Sequence, residues 1–177
     1  MLLGDDGVGP YVVHVLEKSF RFDDCVTLVD LGTPGLDLVA HLSGVDALIL
    51  IDSVENGSAP GTVTLYRREE ILRHGPAPVR MDPHAPALSE SLLIAEIAGE
   101  SPQEVLLIGI TGEHYETSTF LSGSVRDAVG RAVLDVLLEL DRLGVGYQTI
   151  DTACDCVAWW ETAEHGSATT GTAAHTS

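Results

Sequence analysis

The chain has 177 residues, room for one domain of ordinary size and too few for two comfortable ones. Nine Lys and Arg residues against 27 Asp and Glu give a formal net charge of −18, which argues against a nucleic-acid or anionic-membrane partner because neutralising phosphate takes clustered basic side chains. At 45% hydrophobic and 20% charged residues the composition is globular, and most of the negative charge reads as a solvated, self-repelling surface.

In chain order, Tyr11, Val12, Val13, Val15, Leu16 and Phe20 fit one face of a helix, with Pro10 near its first turn, where a missing N–H costs little. Val26–Val29 reads as a strand ending at Asp30. Leu36–Leu42 reads as a short helix opened by the turn Gly32-Thr33-Pro34-Gly35. Ala47–Ile51 is a continuous apolar run of strand length, the pattern of a strand covered on both faces. Thr62–Tyr66 alternates as a more exposed strand would. Leu88, Leu92, Leu93, Ile94 and Ile97 predict a helix, and Val105–Ile110 a second buried strand. The longest helix spans Val125–Leu143, and Gly144 is suited to stop it. This order predicts an α/β domain with three αβα layers and a mostly parallel sheet, over residues 1–148. Residues 149–177 form a tail, rich in Gly, Ser, Thr and Ala from Gly166 onward and expected to be disordered there. An α/β domain of this order would normally carry a strand ahead of the first helix, and here Leu2-Leu3-Gly4-Asp5-Asp6-Gly7 leads almost directly into it.

Cys25, Cys154 and Cys156 make no disulfide framework, and the odd count suggests a reducing compartment. The longest clean apolar run has six residues, against the roughly 20 that a membrane span needs. Asp5 and Asp6 interrupt the amino end before a signal-peptide core can form. A cytoplasmic protein without membrane association is expected.

Ligands of open α/β sheets bind at the carboxyl ends of the strands, so polar residues just after strand patterns are the candidates. Asp52 follows Ala47–Ile51 directly, Asp30 ends Val26–Val29, and Asp5 and Asp6 occupy the loop into the first helix. His84 lies in the proline-stiffened loop Asp82-Pro83-His84-Ala85-Pro86. Taken singly, such aspartates most often cap helices or make turn hydrogen bonds, and a lone histidine is most often a surface or packing residue. Together, Asp6, Asp52 and His84 offer two carboxylates and one imidazole, a set able to hold a borderline divalent ion such as nickel, zinc or cobalt. Other chemistries fit less well. Gly4-Asp5-Asp6-Gly7-Val8-Gly9 carries two aspartates that would repel phosphate, Ser53 and Ser89 lack a nucleophile-elbow context, and Cys154-Asp155-Cys156 has no second cysteine pair. Trp159-Trp160 reads as a hydrophobic anchor. Arg67, Arg68, Arg73 and Arg80 read as a solvated face, or as a basic patch able to orient a partner.

The segments Leu2–Gly9, Asp30–Gly35, Leu48–Ser53, Pro60-Gly61-Thr62 and Asp82–Leu88, in that order, resemble the nickel–iron hydrogenase maturation endopeptidases, from Met1 to about Leu143. The resemblance implies one α/β domain that removes a C-terminal extension from the hydrogenase large-subunit precursor after nickel insertion. It implies that Asp6, Asp52 and His84 recognise that nickel, which arrives with the substrate. Asp6 and Asp52 are then the catalytic candidates, and Asp30, Gly32, Thr33 and Gly35 line the cleft. The enzyme is expected to act as a monomer. Family members begin with an apolar strand and a Gly-x-Gly-Asn turn that are absent ahead of Met1, so a start site placed too late is the expectation. A non-catalytic maturation factor that docks the immature subunit is the alternative, and a different hydrolase or phosphorylase on a similar scaffold is third.

Overall fold

The computed structural model describes residues 4–31, 37–74, 88–114 and 120–150. A single 3-10 turn, Gly4–Gly7, leads into helix α1 (Val8–Ser19), followed by strand β1 (Phe20–Phe22) and helix α2 (Asp37–Ala40). Strands β2 (Ala47–Val54) and β3 (Val63–Arg67) come next, then helices α3 (Arg68–His74) and α4 (Leu88–Ala98). Strand β4 (Glu104–Thr111), helix α5 (Gly123–Leu143) and strand β5 (Tyr147–Thr149) complete the described part.

The sheet order is β2-β4-β3, with β2 parallel and β3 antiparallel to β4. The α/β layering is as expected, whereas the sheet among the described residues is mixed. The cause is the short link between β2 and β3, which has no room for the crossover helix that a parallel return needs. A side-chain period of two sends Ile49, Ile51, Leu106, Ile108 and Ile110 to one face, where α1 and α5 cover them. Leu48, Leu50, Val105 and Leu107 point to the other, into the cluster of Leu38, Leu42, Ile71, Leu88 and Leu92 from α2 to α4. Helix α5 begins at the Ser122 cap, whose hydroxyl accepts from the Val125 N–H, and ends at Gly144 with φ +73°.

One expectation needs correction. Residues 26–29 form neither strand nor helix, because β propensity alone makes no strand and they have no ladder partner among the described residues. Strand β2 packs on both faces as expected, yet is only half-buried from Ala47 to Asp52, whereas β4 is buried beyond Glu104. The reason is position: among the described residues β4 has a strand on each side and β2 on one side only. The outer edge of β2 and the extended residues 29–31 line one cavity of about 110 Å³, with α1 on one flank and Leu38 and Leu88 on the other. Beta strands β1 and β5 form an unexpected antiparallel pair, packed through Phe20, Phe22 and Tyr147. Among the described residues no helix is long and apolar enough to cross a membrane. The predicted turn 32–35, the loop 75–87 and the tail from 151 lie outside the described residues.

Candidate active site

Asp5 and Asp6 share the 3-10 turn but have opposite surroundings. Asp5 is fully buried, and its carboxylate accepts from the backbone N–H groups of Glu113, His114 and Ser122 at 2.7–2.9 Å. Burial alone would raise its pKa; the backbone donors outweigh that and hold it below the usual carboxylate range. This anchors the turn to the loop after β4 and to the cap of α5, the structural role that a turn aspartate most often has.

Asp6 points the other way and borders the cavity beside β2, which Asp30 and Asp52 also line. Asp52 lies near the carboxyl end of β2, and its Oδ1 accepts from the Ser53 N–H at 2.8 Å. The Ser53 hydroxyl donates to Asp6 Oδ1 at 2.7 Å. Burial, with the negative charge of Asp6 adding to it, pushes the Asp52 carboxyl up to about 7 against the opposing Ser53 N–H. A carboxyl poised there can exchange a proton near neutrality, as a general base must. Gly9 makes the close approach possible, because a Cβ there would collide with the Ile51 carbonyl.

The structure thus brings Asp6, Asp30 and Asp52 to one cavity, while His84, Gly32, Thr33 and Gly35 lie outside the described residues. Among the described residues no group of three His, Cys, Asp or Glu side chains is placed to hold a metal; the donors present are the two carboxylates, chemically suited to a divalent ion. Arg67, Arg68 and Arg73 pair with Glu139, Glu96 and Glu69 respectively, which fits the reading of a solvated face. Arg80 lies outside the described residues. Sequence reasoning weighed Ser53 only as a nucleophile and missed its place between the acids, although the period of β2 already puts it on the face of Ile49 and Ile51, toward α1 and the turn that carries Asp6.

An α/β fold that gathers acids beside the carboxyl end of a sheet strand is a ligand-binding α/β domain. Comparison narrows it, since the hydrogenase maturation protease family profile matches residues 10–139, and this chain belongs to that family. It is 39% identical over 140 residues to the hydrogenase expression/formation protein HoxM of Azotobacter vinelandii, covering 79% of this chain and 65% of that protein. The hydrogenase 2 maturation protease of Escherichia coli is 32% identical over 148 residues, 82% of this chain and 88% of that one. Among solved structures, the hydrogenase maturating endopeptidase HybD from E. coli superposes with a TM-score of 0.74 at 30% identity, covering 84% and 91% of the two chains. The chain therefore spans about two thirds of the length of the HoxM relative.

Proposed function

We propose that this protein is a peptidase that processes the large-subunit precursor of a nickel–iron hydrogenase, removing its C-terminal extension once nickel is in place. The observation that carries the reading is the Asp6–Ser53–Asp52 link beside an apolar-walled cavity, within the fold of a maturation protease family. In this reading the nickel belongs to the substrate, and Asp6, Asp52 and His84 recognise it. Bound nickel would supply Lewis-acid polarisation of the scissile carbonyl. The chain's own contribution is proton handling: burial, with a smaller part from the charge of Asp6, raises the Asp52 carboxyl to about 7 in the metal-free protein, which suits it to accept a proton from the attacking water.

The test is co-expression with a nickel-loaded precursor, followed by intact-mass analysis. Asp52→Asn and His84→Ala are expected to slow processing at least ~100-fold with the fold retained, the scale on which acid–base groups act. Processing at the normal rate by both variants overturns the assignment. The edge of β2 beside the acids, without a strand partner among the described residues, favours a second reading, a maturation factor that docks the precursor without cutting it. Binding of the loaded precursor by the unaltered protein with no change in its mass selects that reading.

A further inference from the structure

We propose that Ser53 is a positioning residue that holds the two acids of the site in register, and this rests on the function proposed above. Ser53 is only 3% exposed and donates twice. Its N–H goes to Asp52 Oδ1 at 2.8 Å and its hydroxyl to Asp6 Oδ1 at 2.7 Å. Asp52 is its neighbour on β2, whereas Asp6 lies 47 positions away on a separate turn. One residue therefore couples the 3-10 turn to the strand through one oxygen of each carboxylate. Hydrogen bonds from neutral donors to carboxylates are short and about twice as strong as neutral pairs, and this one is partly buried. Asp5 fixes the same turn from the opposite side, to the Glu113, His114 and Ser122 N–H groups. The turn is thus clamped twice. Asp5 sets where it sits, and Ser53 sets where the Asp6 carboxylate points relative to Asp52.

The two donors separate cleanly by mutation. Ser53→Ala keeps the N–H to Asp52 and removes only the hydroxyl to Asp6, while Ser53→Thr keeps both. In the full chain, Ser53→Ala is expected to exchange the amides of residues 4–7 at least tenfold faster than the unaltered protein, with β4 exchange unchanged. Its kcat for cleavage of nickel-loaded precursor is expected to fall at least tenfold, with KM changed less than threefold. Ser53→Thr restores both. Unchanged exchange at residues 4–7 in Ser53→Ala overturns the proposal, and so does faster exchange with normal kcat. Faster exchange throughout β4, or no rescue by Ser53→Thr, assigns the effect to packing and overturns it as well. If the unaltered protein does not cleave the precursor, the functional reading fails, and amide exchange with its rescue decides the role of Ser53 alone.

Discussion

Asp52 costs the protein stability for the sake of its position. Its pKa is raised from 3.8 to about 7, so the folded state holds the proton more tightly than the unfolded chain does. The sign follows directly: stability is full below pH 3.8, and is lost as pH rises toward 7. Asp52→Asn removes a charge that is hard to bury and is expected to stabilise the protein by about 2 kcal/mol at pH 8. The gain should vanish at pH 3.5, and urea unfolding at the two pH values measures it. An equal effect at both would place the benefit elsewhere than in ionisation. With processing lost in the same variant, the residue would trade stability for activity in the manner of many site carboxylates. Gly9 lines the same cavity under a different constraint. Gly9→Ala drives a Cβ into the Ile51 carbonyl, so α1 must shift away from β2. A loss of about 2 kcal/mol is expected, within the usual range for overpacking, and it should be accompanied by slower processing as the Asp6 turn moves from Asp52.

At the level of elements the weak point is the outer edge of β2. Its partly exposed Leu48, Ile49, Leu50 and Ile51, on the side that has no ladder partner among the described residues, face a cavity with α1 on one flank and Leu38 and Leu88 on the other. The contrast with Val26–Val29 explains how much of the fold was legible. Strands β2 and β4 announced themselves because their apolar runs are long enough to be buried wherever they pair. Residues 26–29 carry the same residue types, but whether such residues become a strand depends on a neighbour, which local sequence does not encode. The β1–β5 pair joins two three-residue segments from opposite ends of the domain, and α3 is mostly charged, so neither has a periodicity to detect. The site divides in the same way. Asp6 and Asp52 were legible as acids at loop and strand ends, while Ser53 was not, since its hydroxyl partner is distant in sequence.

Across the whole molecule, two buried carboxyl environments set opposite limits on the pH range of stability. Glu139 on α5 is 4% exposed at its side chain and is gripped by Arg67 of β3 and Arg142, with Arg142 also reaching Glu104 of β4. Burial alone would raise its pKa, but the arginines bring it down to about 2. The stability it adds is therefore present above its ordinary value of 4.5 and is lost as pH falls toward 2. Asp5, also lowered, adds to that acid limb. Asp52 acts on the other side, where stability falls from pH 3.8 to 7, and the −18 net charge adds self-repulsion as the surface acids ionise. The maximum should consequently lie between about pH 4 and 5, below the range usual for proteins. Urea midpoints from pH 3 to 8 measure this. Glu139→Gln is expected to flatten the acid limb and Asp52→Asn the neutral one. Salt then separates the two contributions to the neutral limb. Raising NaCl from 0.02 to 0.3 M shortens the Debye length from roughly 20 to 6 Å, so it should relieve surface repulsion and leave the buried Asp52 contribution in place. A neutral limb that disappears entirely in salt would mean that net charge, rather than Asp52, controls it. A stability maximum above pH 6 would remove both explanations together.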